Sequence, residues 1–145
     1  MRIYTGRYAD KKMNEYGFVP VGVTLGRPRF KVDYAYVYLR LLAPQKYMWG
    51  KSHEEFSRLY RQYLEQIGFA RIKAELEDIS IGHGDKDLIL LCFEDVHKGE
   101  NCHRRVFAEW WQEKTGEEVP EVGEPKPVAP PKTINKAAVS LMSLF

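Results

Sequence analysis

The sequence predicts an α/β fold: one domain on a small mixed or parallel sheet of about four strands flanked by helices, followed by a proline-rich C-terminal tail. Three observations predict it. Residues 88–93 (Leu88, Ile89, Leu90, Leu91, Cys92, Phe93) are an unbroken apolar run, the pattern of a strand buried on both faces. Residues 52–67 and 102–114 instead carry their apolar side chains at helical spacing. The chain has 145 residues, 44% of them hydrophobic, which is enough for one core.

In chain order, residues 2–5 read as a short opening strand, stopped by Gly6 and by the polar Asp10, Lys11 and Lys12. Residues 18–24 are a second strand segment, in which Pro20 and Gly22 argue against a central, regular place in a sheet. Gly26, Arg27, Pro28, Arg29 and Phe30 make a turn that is rich in cations once Lys31 is included. Residues 34–41 are dense in aromatic and branched side chains and read as a third strand, while residues 39–43 equally suit a helix start before Pro44. Ser52, His53, Glu54 and Glu55 have the capping-box pattern: the serine accepts from the Glu55 amide and the Glu55 carboxylate reaches back. Phe56, Leu59, Tyr60, Tyr63, Leu64 and Ile67 then recur at helical spacing until Gly68, and a short helix follows over 69–77. The last helix, with Asn101 as its N-cap, presents Cys102, Val106 and Trp110 as one stripe and ends at Gly116.

Beyond Val119 the composition changes. Five of the eight prolines fall within residues 120–131, so the domain is expected over 1–121 and a solvated, semi-extended linker over 122–134. The chain then turns apolar again over 135–145.

Composition also narrows function. The 22 basic and 20 acidic side chains nearly cancel, so no global field draws the chain to nucleic acid and any such binding must be local. No apolar run approaches the ~20 residues that cross a bilayer, which excludes a membrane-spanning role. Two cysteines and no secretory pattern at the N-terminus make the cytoplasm the expected location. No cofactor is implied by any motif.

The informative stretch is a strand that delivers Cys92 and Glu94 at its C-terminal end, then a helix opening with Cys102, His103, Arg104 and Arg105. Open α/β sheets place ligand chemistry at such strand ends. Four readings are open. Both cysteines are small buried hydrophobes. Or the free amides of the helix start join His103, Arg104 and Arg105 to hold a phosphate or carboxylate, with Arg27 and Arg29 as a second wall. Or Cys102 or Cys92 is a thiolate nucleophile, with Glu94 or His103 moving protons. Or Cys92, Cys102 and His103, with Glu94 or His97, hold a metal. The spacing speaks against the last reading, because structural zinc sites usually open with cysteines about two to four residues apart, and no metal is expected. His53 and His83 read as surface residues.

Leu90, Leu91, Cys92, Phe93 and Glu94, then Cys102, His103, Arg104 and Arg105, then Ala108, Glu109 and Trp110 before Thr115 and Gly116 resemble the family catalogued as domain of unknown function number 488. In that family a strand ending in Cys-x-Glu is followed by a Cys-His-Arg helix start. Ile3, Tyr4 and Thr5, the turn at 26–30 and Leu42, Ala43 and Pro44 are similar in order to its weaker landmarks. The resemblance spans about residues 1–121. It implies a small cytoplasmic α/β domain, chiefly prokaryotic or viral, of unestablished activity, with Cys92, Glu94, Cys102, His103 and Arg104 as the shared site. The chain departs from longer members after Val23, where Thr24 stands in place of an acidic residue.

The tail carries a separate resemblance. Leu141, Met142, Ser143, Leu144 and Phe145 are similar to the pentapeptide with which bacterial proteins bind the DNA polymerase sliding clamp. Leu141 replaces its usual glutamine and Met142 its leucine. The alternatives are that Ile134, Val139, Leu141, Leu144 and Phe145 fold as a short helix on the chain's own domain, or that another partner reads the tail. Three function classes follow: a module that binds a nucleotide or nucleic-acid phosphate, an enzyme using thiol or acid-base chemistry on a phosphorylated or nucleoside-type substrate, and an adaptor whose tail is the function.

Overall fold

The computed structural model describes residues 1–94, 96–98 and 101–123. Over these the chain runs β1 (Ile3–Arg7), α1 (Met13–Tyr16), β2 (Val19–Gly22), β3 (Val37–Tyr38), α2 (His53–Ile67), α3 (Phe69–Ile81), β4 (Leu88–Cys92) and α4 (His103–Thr115). Short 3-10 turns lie at Arg40–Leu42, Lys46–Met48 and Val96–Lys98. The strands form one sheet in the order β1-β4-β2-β3 with every neighbouring pair parallel. The apolar strand β4 is interior, and all five of its residues are buried. The expected α/β class is therefore what the chain adopts, in its purely parallel form.

Side-chain alternation sorts the sheet into two unlike faces. Ile3, Val19, Val21, Leu88 and Leu90 share one core with Tyr60 and Leu64 of α2, Ile72 and Leu76 of α3, and Val106, Phe107, Trp110 and Trp111 of α4. Ile89 and Leu91 face the other way, onto Tyr8, Met13, Tyr4, Tyr16, Phe18, Tyr34 and Tyr36. That second face is covered by α1 and tyrosine-bearing loops, so the long helices lie on one side of the sheet. Continuing the alternation past Leu91 puts Cys92 on the helix side and Phe93 on the tyrosine side, where its ring lies 4.9 Å from that of Tyr8.

Several expectations change. Gly6 does not stop the first strand. It lies within β1 because a Cβ there would come within 2.8 Å of Ile89 Cδ1 and 2.9 Å of Val122 Cγ2, so the bare backbone is what lets the segment after α4 pack against it. Thr5 N donates to Pro120 O and Val122 N to Thr5 O across that contact. Pro20 and Gly22 sit in an interior strand. Val19 N and Val23 N both donate toward β4, so alternation turns the nitrogen of Pro20 toward the β3 side, where β3 begins only opposite Val21 and no ladder bond is lost. Gly22 is required by the Tyr8 hydroxyl, which occupies the position its Cβ would take. The third strand is two residues long and gives way to the 3-10 turn at Arg40–Leu42. The Ser52 cap forms, with its Oγ accepting from Glu55 N at 3.1 Å, but the Glu55 carboxylate accepts from Arg58 instead of closing the box. Helix α3 runs four residues beyond the expected end, to Ile81. The N-cap of α4 is Cys102, not Asn101. The tail peptide, Leu141, Met142, Ser143, Leu144 and Phe145, lies outside the described residues, as does most of the proline-rich linker.

Candidate functional site

Because all strands are parallel, their C-terminal ends open on one edge of the sheet. Four connections gather there: Tyr8 after β1, the loop from Val23 after β2, the turns before α2 after β3, and Phe93 and Glu94 after β4. The Tyr8 hydroxyl and Thr24 Oγ1 lie 2.8 Å apart, and Thr24 spends its proton on Gly26 O, so Tyr8 donates. Burial pushes the Tyr8 phenol up to about 12, which keeps that proton in place.

Helix α4 enters this edge at its N-terminus. Cys102 is joined to Cys92 by a disulfide, so neither residue is a thiol in this structure. The strand places Cys92 on the helix side and the N-cap position places Cys102 over it. His103 is 6% exposed and its Nε2 lies 2.6 Å from Val23 O. A carbonyl can only accept, so Nε2 carries the proton and Nδ1 is a bare lone pair; it lies 3.7 Å from Cys102 Sγ. Burial, with a smaller push from the Arg104 cation, lowers the imidazole pKa to about 4, so His103 is neutral at physiological pH. The ligand atoms of Cys92, Cys102 and His103 lie within 4.8 Å of one another.

Arg104, expected to be a cation for a ligand, is turned inward and fully buried. Its Nε and Nη2 grip Glu121 at 3.0 and 2.7 Å, Nη2 also donates to Glu94 O at 2.8 Å, and Nη1 donates to Cys92 Sγ at 2.9 Å. The helical stripe it shares with Phe107, Ala108 and Trp111 is buried, as is the neighbouring stripe of Cys102, Val106 and Trp110. Arg105 is half-buried and donates to Thr5 Oγ1 and Val119 O, both at 2.8 Å; desolvation lowers its pKa. Arg27 and Arg29 are exposed and line neither groove described below. The Arg27 guanidinium lies over the rings of Tyr38 and Tyr36, at 4.6 and 5.6 Å.

Two grooves share His53, Asn101 and Cys102 in their walls; His53 and Asn101 are exposed and Cys102 is buried. The first, of about 350 Å³, is lined by Pro44, Met48, Trp49, Gly50, Lys51, His53, Phe56, Glu94, Asn101, Cys102 and His103. The second, of about 290 Å³, lies on the far side of Cys102 among His53, Ser57, Val96, Arg105 and Glu109. The structure thus brings together Glu94, Cys102 and His103 and keeps Arg104 behind them. Sequence reasoning missed Trp49, Lys51 and Phe56. Their signal was position: Trp49 and Lys51 lie in the connection from β3 to the Ser52-capped helix α2, and Phe56 is in the first turns of that helix.

Among the described residues no helix is long and apolar enough to cross a membrane. A family model described as "Domain of unknown function DUF488" matches residues 24–111, which takes in β3, both central helices, β4, the disulfide and most of α4. Neither the curated proteins nor the solved structures include a match to the chain.

Proposed function

The chain belongs to the family described as Domain of unknown function DUF488, and from the make-up of its strand-end cleft we propose that it binds a nucleotide or a nucleic-acid phosphate there. The observation that carries the reading is the cleft wall. An indole that is 55% exposed, Trp49, stands beside Lys51, His53 and Asn101 at the start of a helix whose N-cap supplies no side-chain acceptor. A flat aromatic face stacks on a base, and the amides of a helix start together with a lysine suit a phosphate. Glu94 lines the same cleft and repels an anion, so the phosphate belongs on the Lys51 and Asn101 side and the base or sugar on the Glu94 side. Neutral His103 supplies a wall and no charge.

A second surface on the same edge favours a polymer over a lone nucleotide. Phe30 and Phe93 are 46% and 41% exposed, with their ring centroids 6.4 Å apart, next to Arg27, Arg29 and Lys31. Exposed rings interleaved with cations suit single-stranded nucleic acid, and the near-neutral net charge confines attraction to this edge. The likeness of residues 141–145 to a clamp-binding peptide supports recruitment to a DNA sliding clamp, with Leu144 and Phe145 as anchors. Removing residues 141–145 should then abolish clamp binding while leaving the domain's melting temperature unchanged.

Calorimetric titration of the full chain with a short single-stranded oligonucleotide and with a nucleoside monophosphate tests the cleft. Binding should weaken in Lys51→Ala and Trp49→Ala and with added salt. Equal affinity in wild type and Lys51→Ala would rule the cleft out.

A further inference from the structure

Cys102 and Cys92 are not equivalent. Both are buried, but Cys102 keeps 4% exposure and lines both grooves, whereas Cys92 has none and lines neither. The two polar groups aimed at the sulfurs are also unlike. Arg104 Nη1 directs an N–H at Cys92 Sγ, and the unprotonated Nδ1 of His103 faces Cys102 Sγ. A disulfide sulfur is a weak acceptor for a guanidinium, and it has no proton to offer an imidazole lone pair. A thiolate at Cys92 would turn the Arg104 contact into a charge-assisted bond, and an S–H at Cys102 would give His103 Nδ1 a donor. The surroundings of this disulfide therefore match its reduced form better than its oxidised one.

We propose that Cys92–Cys102 is a thiol–disulfide exchange site, with Cys102 the sulfur attacked from the grooves and Cys92 the leaving sulfur. It stands independently of the phosphate reading of the cleft. The partner is an external thiol, either a small monothiol or a protein dithiol. Its thiolate attacks Cys102 Sγ. The new sulfur–sulfur bond forms as the Cys92–Cys102 bond breaks, and the electron pair stays on Cys92 Sγ beside Arg104. A second external thiolate then attacks the external sulfur of the mixed disulfide, and Cys102 leaves as a thiolate that takes a proton from water. Two external thiols are oxidised to a disulfide and the protein gains two electrons; an external disulfide runs the sequence backward. A leaving thiol stabilised as its thiolate leaves faster, which is the work assigned to Arg104 as a positioning residue.

The test uses the full chain. Dithiothreitol at neutral pH should reduce the bond without denaturant, with circular dichroism unchanged. In Cys92→Ser, oxidised glutathione should form one mixed disulfide at Cys102, located by peptide mass. In Cys102→Ser, Cys92 should react at least about tenfold more slowly, because the groove no longer leads to a sulfur. Arg104→Lys should keep the wild-type reduction rate within a few-fold and Arg104→Gln should slow it about tenfold. Should Arg104→Gln fail to fold, the comparison of the two serine variants still decides. Reduction only upon unfolding, equal reactivity of the two serine variants, or zinc uptake by the reduced chain that blocks both cysteines would overturn the proposal.

Discussion

Acidification should destabilise this domain through a buried residue, His103. Its imidazole is buried at the start of α4 (His103–Thr115), with Nε2 donating to Val23 O, and burial holds its pKa at about 4 against an ordinary 6.5. Between those values the unfolded chain binds a proton that the folded chain refuses. Stability must then rise with pH across that window and be lost as pH falls from 6.5 toward 4. At about 1.4 kcal/mol per pH unit the full window is worth about 3 kcal/mol, most of it gone by pH 4.5. For a chain near this size that is a fall in melting temperature of roughly 6–12 °C. Carboxylates held low by surface ion pairs, Glu55 with Arg58, Glu65 with Lys114 and Glu113 with Arg61, also weaken in acid. The assay is therefore a double difference: urea unfolding of wild type and His103→Gln at pH 7 and pH 4.5. The variant should lose less than the wild type over that interval by about 2–3 kcal/mol. If both lose equally, His103 is not buried and neutral as described.

Three further predictions concern packing. Gly22→Ala drives a methyl into the Tyr8 hydroxyl and should cost about 1–3 kcal/mol in a urea titration. Ser52→Ala removes the acceptor for Glu55 N and should cost about 1 kcal/mol, read as a small fall in melting temperature. Glu121→Ala leaves the fully buried Arg104 without its carboxylate and should cost about 3–5 kcal/mol by the same titration, far more than loss of the exposed Glu113 partner of Arg61.

The fold class could be read from residues because β4 (Leu88–Cys92) is apolar throughout and the helices keep strict periodicity, and both signals are local. What could not be read was decided across the chain. Gly6 looks like a stop until Val122 is known to pack on it. Pro20 looks like a strand breaker until its nitrogen is known to face a gap in the ladder. Arg104 looked like a ligand cation because it sits in a basic run. The spacing of Arg104, Phe107 and Trp111 already put it on a buried stripe, but its partner, Glu121, is 17 residues away. The disulfide had a partial signal too. Alternation from Leu88 and Leu90 puts Cys92 on the face that later receives α4, yet only the packing of that helix brings Cys102 to it.

The most direct test of the cleft uses the chain's own reporter. Of the three tryptophans only Trp49 is exposed, at 55%, against 1% for Trp110 and 2% for Trp111, so acrylamide quenching of the folded protein reads Trp49. A base stacked on that indole shields it. Titrating a short single-stranded oligonucleotide into the full chain should give saturable protection from acrylamide that shifts to higher ligand concentration in Lys51→Ala and with added salt. Quenching that stays constant across the titration, or protection identical in wild type and Lys51→Ala, would contradict a nucleic-acid phosphate site at this edge.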